Sequence, residues 1–317
     1  MAESAFLVIG GAGYVGAPLA ERLSRAGATI VTGRRRSPER DRWLATSRGR
    51  IEWATYDAAA DRLPDAARYE AVFNLATPSA AEAAAQPEVA RRQALTTVEA
   101  ALALVASGRA RRLIHFSTFH VYGAPPAEAP PARYGEDDAP APTHPYGVVH
   151  AACEARLAEA GLPGLVIVRP TNLVGPPAHA DVGSQWRLVF LDLCRQAAER
   201  RALTLLTDGL AYRDFLPMTA ALDAVETLLA TPRPPFRCQL ALGRAMSLRD
   251  LAQRIQQVAR RRLGWDVTLA VGDRADAFRR PFEVETARLQ ALGWRPPTDA
   301  ALDAEIGATL ERLAQMV

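Results

Sequence analysis

A glycine-rich turn between an apolar run and a helical pattern is the feature that most constrains the fold of this chain. Residues 6–9 are apolar, residues 10–16 read GGAGYVG, and residues 17–26 have the periodicity of an amphipathic helix. Glycines at the first, fourth and seventh positions of such a turn leave the helix amides open to an anion, which the helix dipole also favours. The segment therefore predicts a strand, a turn that binds a dinucleotide pyrophosphate, and a helix; a plain tight turn is the alternative.

Apolar runs and helical stretches continue to alternate beyond this turn. Such alternation is typical of a parallel sheet with helices on both faces. We therefore expect an α/β fold with a Rossmann-type doubly wound parallel sheet. The runs that predict its further strands, and the alanine-rich stretch that predicts a helix between them, are 29–32, 71–75, 112–116 and 165–168, and 88–107.

The second part of the chain has a different pattern, which predicts a smaller C-terminal substrate-binding lobe. Beyond Gly175 the alternation weakens, and helices are expected at 247–263 and 299–315. We expect the dinucleotide-binding domain to span 1–172, with a returning segment near 210–235, and the lobe to span mainly 173–317.

Composition excludes several classes of partner. The 38 basic and 35 acidic residues of the 317 are interspersed and give a net charge of +3, which does not favour nucleic acid. No apolar run reaches 18 residues and no secretory leader is recognisable, so we expect no membrane contact and a cytoplasmic protein. The three cysteines lack metal-ligand spacing and are expected to be reduced thiols, with no metal site.

The chain contains no lysine, because all 38 basic residues are arginines. Chemistry that needs an amine side chain is therefore excluded. Arginines also stand at the end of the second predicted strand, where Arg34 and Arg35 replace the acidic residue that would bind a ribose diol. A guanidinium can pair bidentately with a 2′-phosphate, so we expect NADP(H) to be preferred, with NAD(H) possible. A solvated run of charges is the alternative.

Further motifs follow in a fixed order along nearly the whole chain. Together they resemble the extended short-chain dehydrogenase/reductase family, the NAD-dependent epimerase/dehydratase family of nucleotide-sugar enzymes. The motifs that carry the resemblance are GGAGYVG at 10–16, Asp57, FNLAT at 73–77, FSTFHVYG at 116–123, PYGVVH at 145–150, RPTNLVGP at 169–176, RDF at 213–215, LGRAMSLRDL at 242–251 and LGW at 292–294.

The resemblance implies the catalytic residues. Thr118 stands at the family's hydroxyl that binds the substrate oxygen, and Tyr146 stands at its proton-exchanging tyrosine. The family has a lysine four residues after the tyrosine, where it binds the nicotinamide ribose and lowers the tyrosine pKa; this chain has His150. One helical turn separates the two residues, so His150 can reach the ribose. With an ordinary pKa near about 6.5 it would be only partly charged at neutral pH.

Two interpretations of His150 stay open. The chain is a working enzyme with an altered pH dependence, or it binds the cofactor as a sensor or scaffold and has lost its chemistry. For the cofactor, the resemblance and the turn together imply a set of contacting residues: Gly10, Gly13, Tyr14, Val15, Gly16, Arg34, Arg35, Asp57, Ala76 and His150.

The residues after Thr118 bear on the type of reaction. The family's 4,6-dehydratases have an Asp-Glu pair there, whereas this chain has Phe119 and His120, so dehydration is disfavoured. An epimerase keeps its cofactor tightly bound, while a ketoreductase consumes NADPH. The Arg34 cluster favours an NADPH-dependent ketoreductase of a keto nucleotide-sugar, for example a 4-keto-6-deoxy sugar, or of another small ketone. A nucleotide-sugar epimerase is the alternative.

Substrate contacts are expected from Thr118, His120, Asn172 and Arg213, of which the last two match family positions near the donor's nucleotide diphosphate. An ion pair of Arg213 with Asp208 or Asp214 is the alternative. The other histidines, namely His115, His144 and His179, are expected to be structural or loop residues. The resemblance also implies a homodimer through the helices near 88–107 and 146–160.

Overall fold

The computed structural model describes residues 5–58, 62–64, 68–123 and 132–316 of the chain. The strands of this part are β1 (Ala5–Ile9), β2 (Ala28–Gly33), β3 (Ile51–Thr55), β4 (Ala71–Asn74), β5 (Leu113–Phe116), β6 (Ala132–Tyr134), β7 (Leu165–Pro170), β8 (Asn172–Val174), β9 (Ala202–Leu205), β10 (Tyr212–Arg213), β11 (Phe215–Pro217), β12 (Arg237–Leu240), β13 (Met246–Ser247), β14 (Thr268–Val271) and β15 (Phe282–Val284).

The helices differ widely in length, from five residues to twenty. They are α1 (Gly16–Leu23), α2 (Pro38–Thr46), α3 (Ala80–Ala85), α4 (Pro87–Ala106), α5 (Pro145–Ala160), α6 (Val189–Arg200), α7 (Met218–Ala230), α8 (Leu248–Leu263), α9 (Ala287–Ala291) and α10 (Asp299–Ala314). Two short 3₁₀ helices cover Phe119–Tyr122 and Gly183–Arg187. Within the described residues, no helix is both long and apolar enough to cross a membrane.

A seven-stranded sheet forms the centre of the fold, with strand order β12-β7-β5-β4-β1-β2-β3. The pairs from β7 to β3 are parallel. The chain order reverses between β1 and β4, which is the switch point where doubly wound sheets open a crevice for ligands at the carboxyl ends of their strands. The expected Rossmann-type α/β fold is confirmed.

The strands of this sheet are almost wholly buried, as their continuous apolar sequences require. Strands β4 and β5 have no exposed residue, and Leu7, Val8 and Ile9 of β1 have no accessible surface. A parallel sheet covered on both faces needs such runs, because neither face meets water. The polar residues of β4 and β5 are Asn74 and His115, which are paired across these two strands.

The chain divides into two compact units. The first comprises Met1–Gly123, Ala139–Arg169 and Glu226–Cys238, and the second comprises Ala124–Asp138, Pro170–Val225 and Gln239–Val317. The segment Glu226–Cys238 overlaps the end of the region near 210–235 where the sequence predicts a returning segment, and that prediction stays open. The domain limits of 1–172 and 173–317 stay a prediction.

The second unit has little sheet and is built on packed helices. Its sheets have only two strands each, for example β8 with β11 and β9 with β14. Helices α6, α8 and α10 pack against one another, and Arg254 of α8 donates a hydrogen bond to Asp303 of α10. The amphipathic sequence of α8 explains this packing, because Leu251, Ile255 and Val258 fall on one face and are buried.

Candidate functional site

The glycine turn after β1 has the geometry that its sequence predicts. Gly10 has φ +79°, a conformation that favours glycine, and a Cβ there would lie 3.1 Å from the amide nitrogen of Ala76. A Cβ at Gly16 would lie 2.4 Å from the carbonyl oxygen of Gly10, so only glycine lets α1 begin this close to the strand. The Gly13 amide donates to the Gly10 carbonyl and closes the turn.

The start of α1 suits a diphosphate. Its N-cap residue, Val15, provides no side-chain hydrogen bond to the first amides, and its first turn contains no acidic residue that would repel an anion. Helix amides and the helix dipole together stabilise negative charge at such an end. The residues of the turn therefore fit the pyrophosphate of a dinucleotide, and Tyr14 behind them is buried.

The other predicted cofactor residues follow neighbouring strands of the sheet. Asp57 follows β3 and is half-buried, and the Ala76 amide beyond β4 donates to Asn74. Arg34 directly follows β2, and its exposed guanidinium donates to Glu82 of α3 at 3.3 Å. An exposed ion pair of this kind adds little stability, so the guanidinium can exchange its partner for a phosphate at small cost. The backbone carbonyl of Arg35 accepts a hydrogen bond from Arg40.

Thr118 and Tyr146 come together because two short segments approach closely. Thr118 is buried and caps the 3₁₀ helix Phe119–Tyr122, where its hydroxyl accepts a hydrogen bond from the His120 amide. A Cβ at Gly147 would lie 2.5 Å from the His120 carbonyl oxygen, so glycine is needed for α5 to begin beside this turn. The result is a hydrogen bond between the hydroxyls of Thr118 and Tyr146.

The Tyr146 phenol is a neutral acid in this environment. Burial raises its pKa above the ordinary value, and the hydrogen bond with Thr118 opposes that shift. His150 lies one helical turn further along α5, with its ring edge-on to the phenol and 4.6 Å between the ring centroids. The structure thus brings together the three residues that the sequence selects for catalysis.

His150 is uncharged near neutral pH. It is 1 % exposed, and burial, with smaller contributions from His115 and His120, lowers its pKa to about 3. The sequence alone suggests a partly populated imidazolium, which burial removes. Neither ring nitrogen of His150 has a hydrogen-bond partner among the described residues.

Four of the five histidines meet around Tyr146. The His144 ring stacks on the phenol at 6.2 Å between centroids, His120 lies edge-on at 6.0 Å, and His115 lies 6.4 Å from His150. His144 is also the N-cap of α5, because its Nδ1 accepts a hydrogen bond from the Gly147 amide. Sequence reasoning missed His115 and His144 as parts of this cluster. The fifth histidine, His179, is buried in the second unit.

A buried hydrogen-bond network lies next to Thr118 in the chain. Ser117 donates a hydrogen bond to the Glu154 carboxylate at 2.5 Å, and Arg169 binds the same carboxylate through two nitrogens at 2.9 and 2.5 Å. Both charged side chains are at most 3 % exposed, and the Arg169 guanidinium also lies 4.6 Å from the centre of the Tyr122 ring. Sequence reasoning missed this network; the position of Glu154, one helical turn after His150, is the signal that could have indicated it.

The two buried imidazoles predict acid-sensitive stability. Burial lowers the pKa of His115 to about 4 and that of His150 to about 3, whereas an unfolded histidine titrates near about 6.5. The unfolded chain therefore takes up protons first as the pH falls, and the stability that is complete above about pH 6.5 declines towards pH 3. Between pH 7.5 and 5 we expect each histidine to cost about 2 kcal/mol of unfolding free energy.

Urea unfolding at both pH values measures this loss, with the double variant His115→Asn/His150→Asn as the control. The variant should lose much less stability than the wild type; an equal loss would contradict the assignment. The comparison is needed because Asp214 acts in the opposite direction. Burial raises the pKa of Asp214 to about 6, so protonation of this carboxyl increases the unfolding free energy as the pH falls.

In the second unit, the predicted substrate residue Asn172 is part of a hydrogen-bonded hub. Its side-chain amide and its backbone amide both donate to the Asp214 carbonyl oxygen. The Asp214 carboxylate in turn accepts hydrogen bonds from the Thr171 hydroxyl and from the Leu242 and Gly243 amides. This explains why the motifs at 169–176, 213–215 and 242–251 occur together, because one buried carboxylate joins all three.

Arg213, the other predicted substrate residue of this unit, is half-buried. Its guanidinium lies 5.7 Å from the centre of the Phe278 ring and donates to the Tyr212 carbonyl. Burial lowers its pKa, and Asp276 opposes the shift. The acids that were alternative partners are engaged elsewhere, since Asp208 pairs with Arg279.

Comparison with known proteins adds to this geometry. The sequence model of the family described as "NAD dependent epimerase/dehydratase family" matches residues 6–236. The chain is also similar to dTDP-6-deoxy-L-talose 4-dehydrogenase (NAD(P)(+)) of Kitasatospora kifunensis. The two are 32 % identical over 259 residues, which cover 78 % of this chain and 76 % of that protein.

Solved structures share the whole fold at low sequence identity. UDP-N-acetylglucosamine 4-epimerase from Methanobrevibacter ruminantium M1, in complex with UDP-N-acetylmuramic acid, matches with a TM-score of 0.83 and 19 % identity over all of both chains. UDP-glucuronic acid 4-epimerase from Bacillus cereus, in complex with UDP-glucuronic acid and NAD, matches with a TM-score of 0.76 and 19 % identity. That match covers 99 % of this chain and 100 % of the other.

Proposed function

This chain belongs to the NAD-dependent epimerase/dehydratase family of nucleotide-sugar enzymes, and from that premise we propose that it is an NADPH-dependent ketoreductase of a keto nucleotide-sugar. The observation that carries the proposal is the neutral Tyr146 phenol, hydrogen-bonded to Thr118 and without a cation at His150. Reduction of a ketone consumes a proton, which a neutral phenol can donate. Oxidation of an alcohol would need the phenolate, which the charge of a lysine would favour.

The chain's own residues then have distinct tasks. NADPH, when bound, would provide the hydride that reduces the ketone carbon. Thr118 donates a hydrogen bond to the carbonyl oxygen, and Tyr146 transfers its proton to the same oxygen as negative charge develops there. His150 would hold the cofactor by donating a hydrogen bond to its ribose. The exposed imidazole of His120, 6.0 Å from the phenol ring, provides a path for solvent protons back to Tyr146.

The relative that is 32 % identical supports the choice of substrate class. Its name describes oxidation of a dTDP-linked 6-deoxy sugar at C4 with NAD(P). The reverse of such a reaction is reduction of a 4-keto-6-deoxy nucleotide sugar. For this chain we propose that the Arg213 guanidinium binds the diphosphate and that Asn172 and His120 contact the substrate, since arginine suits a dianion.

Arg34 gives a test of the proposed NADPH preference. Arg34→Ala should raise the KM for NADPH about 10- to 100-fold, which corresponds to the loss of a charge-assisted hydrogen bond, and should leave the KM for NADH nearly unchanged. Initial rates with both cofactors measure the effect. Arg50→Ala, which removes an exposed arginine before β3, is the matched control. Equal changes for the two cofactors would contradict a role at the 2′-phosphate.

The reaction itself is tested by NADPH absorbance with a panel of keto nucleotide-sugars between pH 5 and pH 9. We expect consumption with a 4-keto-6-deoxy sugar. Absence of consumption across the panel would contradict the proposal. Release of stoichiometric oxidised cofactor from the denatured protein would favour an epimerase instead. A biological phenotype that persists in Tyr146→Phe would favour a cofactor sensor.

We also propose a homodimer through α4 and α5. These helices pack on each other within the first unit, where Arg156 pairs with Glu99, and Val148 of α5 remains 46 % exposed. Their many alanines permit close approach of a second pair of helices. Light scattering at micromolar concentration should give twice the chain mass, and a monomer mass would contradict the proposal.

A further inference from the structure

Two polar side chains are paired inside the sheet directly beneath α5. Asn74 of β4 and His115 of β5 are cross-strand neighbours, and both are at most 1 % exposed. Neither suits the apolar interior of a parallel sheet, so their presence requires that their hydrogen bonds be satisfied. The Asn74 amide nitrogen and the His115 Nδ1 are 3.2 Å apart.

The hydrogen bonds around Asn74 fix the tautomer of His115. The Ala76 amide donates to the Asn74 side-chain oxygen, so the side-chain nitrogen of Asn74 is the atom that faces His115. That nitrogen can only donate, and His115 Nδ1 must therefore accept. Since burial keeps His115 neutral, its single proton is on Nε2.

The Nε2 hydrogen of His115 and both nitrogens of His150 form a buried group of polar atoms. None of the three nitrogens has a hydrogen-bond partner among the described residues, and the two ring centroids are 6.4 Å apart. A donor on His115 that reaches His150 through one bridging water selects an unprotonated acceptor nitrogen on His150. The other nitrogen of His150 must then carry the proton and become a donor.

We propose that His115 is a positioning residue. Held by Asn74, it fixes the tautomer of His150, so that His150 presents a hydrogen-bond donor to the cofactor in this lysine-free chain. A buried lysine would offer several donors without any tautomer. An imidazole offers one, and only if the proton is on the correct nitrogen. The inference rests on the cofactor site of the proposed function, but it is independent of the ketone substrate.

The groups that face His115 and His150 are consistent with both imidazoles being neutral. On α5, Tyr146 lies 4.6 Å from the His150 ring and is itself neutral, while the negative charge of Glu154 acts weakly on His115. From the turn after β5, His120 acts on His150 and lowers its pKa. Replacing His115 therefore removes an orienting donor without exposing an unpaired buried charge.

A double-mutant cycle tests the inference through binding of NADPH, measured by calorimetry. His115→Leu should weaken binding about 3- to 10-fold, which is the range for one hydrogen bond. The same substitution in the His150→Lys background should have almost no effect, because an ammonium has no tautomer to fix. An equal loss in both backgrounds would show that His115 is merely structural and would overturn the proposal, as would no loss in either.

Nitrogen-15 chemical shifts of His150 provide a second test that needs neither cofactor nor turnover. The wild-type chain should show one tautomer, and His115→Leu should show a mixture. Asn74→Asp keeps the bond from the Ala76 amide but offers His115 Nδ1 an acceptor, which moves the proton to Nδ1 and should reverse the tautomer of His150. Unchanged shifts in both variants would refute the inference. A chain with these shifts that binds no NADPH would instead refute the proposed function alone.

Discussion

Tyr146→Phe is expected to lower kcat of ketone reduction by about 10²- to 10⁴-fold while the Kd for NADPH stays within about twofold. The substitution removes one hydroxyl, which is hydrogen-bonded to Thr118, and leaves the ring between His144 and His150 in place. The variant should therefore fold and bind like the wild type but lack the proton that the alkoxide needs. Single-turnover rates and NADPH binding measure the two properties separately.

Tyr69→Phe is the matched control for this experiment. Tyr69 lies just before the amino end of β4, whereas the catalytic residues follow the carboxyl ends of the strands. Its hydroxyl donates a hydrogen bond to the Pro64 carbonyl. We expect kcat of the control to stay near the wild-type value. If Tyr146→Phe retained full activity, the phenol would not be the proton donor, and the reaction would need another acid.

Arg169→Leu is expected to lower the unfolding free energy by about 3–5 kcal/mol. The substitution leaves the Glu154 carboxylate buried and without its bidentate partner, although Arg237 remains 3.9 Å away. Removing one member of a buried ion pair costs far more than the pair itself contributes, because an uncompensated charge remains in the protein interior. Urea unfolding at pH 7.5 measures the loss.

Two further variants separate this effect from a general loss of packing. The double variant Glu154→Leu/Arg169→Leu should regain much of the stability, since no buried charge is left behind. Arg156→Leu, on the same helix as Glu154 but in an exposed pair with Glu99, should change stability little. Equal losses from Arg156→Leu and Arg169→Leu would contradict the buried network.

The fold was predictable because its signals are local. The apolar runs mark strands β1, β2, β4, β5 and β7, and the glycine turn sets the order of strand, turn and helix at the carboxyl edge of the sheet. Thr118, Tyr146 and His150 could be selected from motif order and from the four-residue spacing within one helix. Their convergence in the structure agrees with that selection.

The environment of these residues could not be read from the sequence. The neutral state of His150 depends on its burial. The pairing of Asn74 with His115 depends on the register of β4 and β5, and the end of β4 at Asn74 is 39 residues from the start of β5 at Leu113. His144 reaches Tyr146 only because Gly147 lets α5 begin beside the 3₁₀ turn. The spacing of these residues along the chain does not indicate any of these contacts.

The most direct test of the proposed reaction uses NADPH that carries deuterium on the transferring face of nicotinamide C4, together with a 4-keto-6-deoxy nucleotide sugar. Mass spectrometry and NMR of the sugar product then locate the label. The proposed mechanism predicts one deuterium on the new carbinol carbon, with one oxidised cofactor formed for each product molecule. An isomerised sugar without deuterium or net cofactor oxidation would contradict it.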